Sequence, residues 1–204
     1  MKRPKFLILL VAVGILFFSC KEKNAKLEKA PPVLGEAFLE EWKEQEAAAF
    51  LNQFGTFSST TAEGKIQVVD FFFTSCPTIC PKMTRHLKEV QEHFSGNAQV
   101  EIISYSIDGL NDTPEVLANY AEAYGIDSAQ WKFLTGDPEL IFERSRAYKV
   151  MAVDDKSGEE RNLIHDGTFV LVDAQKRIRG YYNGLDIVDT QRLIKDMEYL
   201  LKTL

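Results

Sequence analysis

The chain has 204 residues, 45% hydrophobic and 26% charged, with few Gly and Pro. That suffices for one domain with a sizeable core and excludes collagen, coiled coil and extended disorder. The formal net charge is −6; without residues 1–20, which carry three basic side chains and no acidic one, it becomes −9, and a domain this acidic lacks the clustered Lys and Arg that nucleic-acid phosphates require.

Lys2, Arg3 and Lys5 precede the apolar run Phe6–Phe18, which is shorter than the roughly 20 residues of a spanning helix and reads as a targeting segment. Ser19-Cys20 and a polar stretch follow. This arrangement resembles a bacterial lipoprotein signal and implies Cys20 as a lipidated N-terminus, although Phe17 and Phe18 depart from the usual pattern. A plain secretory signal or an uncleaved anchor are the alternatives. Each puts the domain on the periplasmic or other extracytoplasmic face, tethered or free. Residues 21–35 read as a tether and 36–204 as the folded domain.

Glu36–Phe50 looks helical by composition, and Asn52–Gly55 and Glu63-Gly64 look like turns. Val68–Phe73 is a nearly continuous apolar, β-prone run, as in a central parallel strand. Met83, Leu87, Val90 and Phe94 recur at helical spacing within Pro81–Phe94, predicting an amphipathic helix. Val100–Ile107 is a second strand. Thr113-Pro114 opens a helix through Tyr124, and Asp137-Pro138 another through Tyr148, with a short strand at Trp131–Leu134 between them. Thr168–Val172 and Ile178–Tyr182 read as a strand pair, and a closing helix runs from about Asp189 to Leu201. The pattern predicts an α/β fold with a central mixed sheet flanked by helices. Strand, cysteine loop, helix, then a late strand pair and helix is the thioredoxin-like order, with the intervening strand and helix as insertions.

Apart from Cys20, the chain has two cysteines, Cys76 and Cys80. A disulfide between them would close a very small loop and stabilise little, so the pair reads as redox or metal chemistry. Ser75-Cys76-Pro77-Thr78-Ile79-Cys80-Pro81 lies between a strand end and a helix start. Pro81 fits the first helical position and should make Cys80 the N-cap, with its thiol pKa lowered by the helix dipole. Three intervening residues give both sulfurs an open bite suited to a soft ion such as Cu(I), while still permitting a disulfide.

His165 lies just before the strand expected beside that loop. Gly167 stands where disulfide reductases of the fold carry a cis-proline before Thr168. Two thiolates and an imidazole make a copper-competent donor set. His86 and His93, seven apart on the first helix, read as solvated on a shared exposed side. Met83 reads as core, and Asp108 and Asp112 as loop-shaping and capping groups.

Asp70–Pro81, Ser106-Ile107-Asp108, Asp112-Thr113-Pro114-Glu115, Phe133–Gly136 and the His165 segment together resemble the Sco/SenC family of copper-binding assembly factors for cytochrome c oxidase, over about residues 64–202. The resemblance implies a thioredoxin fold and copper, Cu(I) with Cu(II) as a second state, held by Cys76, Cys80 and His165. It further implies a metallochaperone acting on the binuclear copper site of cytochrome c oxidase subunit II. The rival reading is a thiol–disulfide oxidoreductase whose redox-active pair is Cys76 and Cys80. Either role needs an extracytoplasmic thiol reductant, because a disulfide sulfur is not a thiolate. The family commonly has Asp directly before this histidine; here Ile164 precedes it, leaving Asp166 as the carboxylate placed to orient the ring.

Overall fold

The computed structural model describes residues 29–36, 49–56, 64–155 and 162–204. The targeting segment, Cys20 and most of the tether lie outside the described residues. In chain order the strands are β1 (Gly35–Glu36), β2 (Phe50–Asn52), β3 (Ile66–Phe72), β4 (Val100–Ser106), β5 (Trp131–Gly136), β6 (Ala152–Asp154), β7 (Leu163–His165), β8 (Thr168–Val172) and β9 (Arg177–Asn183). The helices are α1 (Cys80–His93), α2 (Pro114–Ala123), α3 (Pro138–Ala147) and α4 (Ile187–Leu201).

Seven strands form one sheet in the order β1-β9-β8-β3-β4-β5-β2. The β3–β4–β5 core is parallel, while β8 runs antiparallel to β3 and β9 antiparallel to β8. This is the mixed sheet of a thioredoxin-like fold. Every residue of β3 and β4 is buried, the reason their sequences show no regular apolar–polar alternation. On one sheet face α1, α2 and α4 cover a cluster including Val68, Phe72, Leu87, Ile102 and Leu193; on the other, Val69, Phe71, Ile103, Tyr105 and Ile141 form a second cluster.

Local signals account for the helix starts. Thr113 Oγ1 accepts the Val116 N–H at 3.3 Å, an Asp137 carboxylate oxygen the Glu139 N–H at 2.8 Å, and an Asp186 oxygen the Val188 N–H at 2.9 Å, each satisfying an orphan donor. The stripe of Met83, Leu87, Val90 and Phe94 is buried as its spacing requires. Gln67, Asp70, Glu101 and Ser104 are buried polar residues on the two central strands. Ser104 on β4 donates to its cross-strand neighbour Asp70 on β3 and accepts the Trp131 indole N–H of β5 at 2.8 Å.

Three expectations change at the edges. Gly35–Glu36 and Phe50 belong to strands, so the helical reading of Glu36–Phe50 fails at both ends; its interior lies outside the described residues. The end of the tether is pinned. The extra residue of a bulge in β9, Arg179, turns its guanidinium onto the Pro31 and Pro32 carbonyls and Asp173, a re-aiming that bulges allow. The hairpin β6–β7, separate from the main sheet, has no counterpart in the sequence reading.

Candidate metal centre

The site lies where β3 ends. Phe73 follows the last strand residue, Thr74–Ile79 form a loop, and α1 leaves from it. The loop is held from beneath by Asp112, itself 1% exposed. One Asp112 oxygen accepts the Thr74 N–H at 2.9 Å and the Ser106 hydroxyl; the other accepts the Thr74 hydroxyl. Asp112 was read as a loop-shaping group; the structure shows that the loop it shapes is the cysteine loop, 38 residues away in sequence.

Cys76 and Cys80 are both free thiols, 6% and 1% exposed. Ile79, not Cys80, is the N-cap of α1, its carbonyl accepting from Lys82 and Met83 at 3.0 Å each. Cys80 is the first helical residue. The structure overrides the bias against α geometry before a proline, and this placement leaves the Cys80 thiol buried beside His165.

The expected fall in the Cys80 pKa is also overturned. Burial pushes this thiol far above the ordinary range, opposed by the Phe73 backbone and reinforced by Cys76 and Asp70. The lowered thiol is Cys76. Burial works against it, but hydrogen bonds from the Cys80 and Thr78 backbone and side chains hold it below the usual value. The helix-end donors therefore favour the thiolate one turn earlier than expected.

His165 ends β7 and is 8% exposed. Its Nε2 lies 3.1 Å from Cys80 Sγ, and Phe73 meets the imidazole edge-on at 5.9 Å between centroids. Burial lowers the imidazole to about 4 against an opposing pull from Asp166, so the ring is neutral at neutral pH and free to donate a lone pair. Asp166 does not orient it. The Asp166 oxygens accept the Met151 and Thr168 N–H groups at 3.0 Å each, and His165 Nδ1 has no hydrogen-bond partner among the described residues. The hairpin and Phe73 set the ring instead.

Cys76 Sγ, Cys80 Sγ and a ring nitrogen of His165 all lie within 4.8 Å of one another. Bonds of about 2.0–2.3 Å to nitrogen and sulfur let two donors share one ion at separations up to about 4.6 Å. The Cys80–His165 pair, 3.1 Å apart, is well inside that limit, and Cys76 Sγ lies within 4.8 Å of both. The donor chemistry, two soft sulfurs and one neutral imidazole, fits copper.

The remaining candidates separate cleanly. Met83 is core. His86 is buried, its Nδ1 2.7 Å from the Gly184 carbonyl oxygen, so the solvated reading fails for it; the side it shares with His93 packs toward α4 and the turn before it. His93 is exposed and pairs with Glu198 at 2.8 Å. Asp108 accepts both Asn111 amide contacts beside the site. Phe73, Thr74 and Ser106 were given no role of their own in the site; the available signals were the adjacency of Phe73-Thr74 to the cysteines and the place of all three in the segments that carry the family resemblance.

The family model described as SCO1/SenC matches residues 42–202. The chain belongs to the SCO1/SenC family. This SCO1/SenC protein is 34% identical over 157 residues to a SCO1 protein homolog of Bacillus subtilis, covering 76% of this chain and 81% of that one. A crystal structure of a SCO1/SenC family lipoprotein from Bacillus anthracis matches with a TM-score of 0.67 at 30% identity, over 75% of this chain and 92% of that one. A structure of BsSco, a member of the Sco family of cytochrome c oxidase assembly proteins in which a disulfide switch was identified, matches with a TM-score of 0.69 at 30% identity, covering 86% and 99% of the two chains. Among the described residues no helix is long and apolar enough to cross a membrane.

Proposed function

We propose that this SCO1/SenC protein is an extracytoplasmic copper metallochaperone. Cys76, Cys80 and His165 bind copper as cargo, and the protein delivers it to, or assists assembly of, the binuclear copper site of cytochrome c oxidase subunit II. The observation that carries this reading is the convergence of the three donor atoms within 4.8 Å. Thiolates favour Cu(I), and the imidazole broadens the set to Cu(II). A neutral His165 presents no positive charge to an incoming cation, and the more acidic Cys76, at the mouth, is the sulfur able to meet cargo first. Binding displaces thiol protons, and because the sulfurs of a disulfide offer no thiolate, the pair must be kept reduced by an extracytoplasmic thiol reductant. Cys20, left as a lipidated N-terminus once the signal is removed, anchors the domain to the membrane; membership in a family with a lipoprotein relative supports this.

Titration of the reduced protein with Cu(I) under a competing chelator tests the metal reading. One equivalent should bind, and His165→Ala, Cys76→Ser and Cys80→Ser should each weaken it at least tenfold. Equal binding by His165→Ala would remove the imidazole from the site and sink the reading. Cys20→Ser should release the protein from the membrane fraction.

One observation favours a second reading, a thiol–disulfide oxidoreductase. The two thiols are split in acidity, an exposed-side Cys76 lowered and a buried Cys80 raised, as attacking and resolving thiols require. In that reaction both thiols become one disulfide while a target disulfide takes up the two electrons and two protons. Disulfide exchange undiminished in His165→Ala, without copper uptake, would select it.

A further inference from the structure

Strand β7 carries His165, and the backbone groups of two of its three residues face no partner strand among the described residues. The hairpin pairs Ala152 with His165, Val153 with Ile164 and Asp154 with Leu163. In an antiparallel ladder every second pair exchanges hydrogen bonds, and the pairs between direct their N–H and C=O groups outward. The phase is set by the bonds just beyond each end, Asp155 N–H to the Asn162 carbonyl at 3.1 Å and Asp166 N–H to the Met151 carbonyl at 3.2 Å. Counting inward by twos makes Val153·Ile164 the bonded pair. The N–H and C=O groups of Leu163 and His165 therefore point away from β6. The two strands pair only with each other, so no neighbouring strand among the described residues takes up that outer edge.

The outer edge faces the metal centre. A cavity of about 700 Å³ is lined by the cysteine loop, by Asp108 and Asn111, and by consecutive residues Asn162–His165. Side chains of a strand alternate between faces, so a cavity touching every residue in turn runs along the edge of β7 rather than over one face. Cys76 and His165 are among its lining residues.

We infer that the free edge of β7 is a β-augmentation site, which takes an extended, cysteine-bearing segment of a partner protein beside Cys76. Unpaired N–H and C=O groups at strand spacing are matched by the backbone of an extended chain; a helix has its own backbone groups satisfied and cannot use them. The described lining includes the carboxylate of Asp108 and no Lys or Arg, and the probe below carries terminal Lys for solubility. Choice of a cysteine rests on the copper reading, since a thiol lying along this edge reaches the donors that hold the cargo. Backbone pairing itself does not depend on copper.

The probe is the blocked peptide Lys-Thr-Val-Cys-Val-Thr-Lys, reduced, added to the soluble domain with and without one equivalent of Cu(I). Amide hydrogen exchange read by NMR is the observable. In the free protein Ile164 should be protected and Leu163 and His165 should exchange freely. At about 1 mM peptide, Leu163 and His165 should slow at least tenfold while Ile164 is unchanged. Two further peptides carry N-methyl groups on the even or the odd residues; one set should abolish the protection and the other preserve it, because only alternate N–H groups face β7. Protection of Leu163 and His165 before any peptide is added would mean that another part of this chain covers the edge, and would overturn the inference. Absence of protection at the highest peptide concentration, or equal protection by both N-methylated peptides, would overturn it too. Copper titration without peptide separates the two readings. Normal metal uptake with no strand pairing sinks this inference alone, whereas strand pairing by a protein that takes no copper sinks the metallochaperone and leaves the peptide site.

Discussion

Replacing Asp112 should unfold the cysteine loop's support before it touches any donor atom. The carboxylate is 1% exposed and accepts three hydrogen bonds, from the Thr74 N–H, the Thr74 hydroxyl and the Ser106 hydroxyl. Hydrogen bonds to a charged acceptor contribute about 1.5–3 kcal/mol each, and a stranded buried donor costs about as much. In Asp112→Ala the hydroxyls can rotate to other partners, but the Thr74 N–H cannot. The expected net loss is about 3–5 kcal/mol. In Asp112→Asn one oxygen still accepts the Thr74 N–H and the Ser106 hydroxyl, and the amide can donate to the Thr74 hydroxyl oxygen. Only the charge assistance disappears, about 1–2 kcal/mol. Thr74 lies two residues before Cys76, so the alanine variant should also bind Cu(I) roughly tenfold more weakly, in the range seen when groups supporting metal ligands are removed. The asparagine variant should bind nearly as the parent does. Urea unfolding of the reduced apo-protein gives the first quantity, and chelator competition the second. A loss below about 1 kcal/mol for Asp112→Ala, or the same loss for both variants, would show that the carboxylate does not hold the loop. Should the alanine variant fail to fold, a fully folded Asp112→Asn with parental copper affinity keeps the comparison decisive.

Asp70→Asn tests a pH dependence. Burial raises the Asp70 carboxyl from 3.8 to about 7, with the Ser104 hydroxyl opposing. Between those values the folded protein holds a proton that the unfolded chain releases, so stability is full below about pH 4 and declines as pH rises toward 7, by up to about 4 kcal/mol. Urea midpoints of Asp70→Asn should match the parent near pH 4 and exceed it near pH 8; a parallel pH profile for the two proteins refutes the assignment. With iodoacetamide at neutral pH, Cys76 should be modified at least tenfold faster than Cys80, since only Cys76 lines the cavity and holds a lowered thiol; peptide mapping that finds equal or reversed labelling contradicts it. A methyl group at Gly184 would stand 2.6 Å from Phe169 Cζ and 2.7 Å from the Gly167 carbonyl oxygen. Gly184→Ala should therefore lose about 1–3 kcal/mol in thermal or urea unfolding, and an unchanged midpoint would mean that these turns have slack.

Local chemistry in the chain was enough to place the regular elements around the site. The apolar run of β3, the Met83–Leu87–Val90–Phe94 stripe and the Thr113-Pro114 and Asp137-Pro138 caps each act within a turn or two of their own position. Periodicity and capping therefore reveal them without knowledge of the fold. The three residues that converge at the candidate site were legible as well, two through their spacing around Pro77 and Pro81 and the third through its position before β8.

Tertiary structure decided what those residues experience. Which cysteine is the acidic one depends on burial of Cys80 against His165 and on donors that reach Cys76. His86 is buried because the turn at Gly184 folds over it. Strands β1, β2, β6 and β7 are two or three residues long, too short to carry a period, and exist because partners distant in sequence supply their hydrogen bonds. Side-chain type and spacing are properties of the chain, whereas desolvation and cross-strand pairing arise only when remote segments meet.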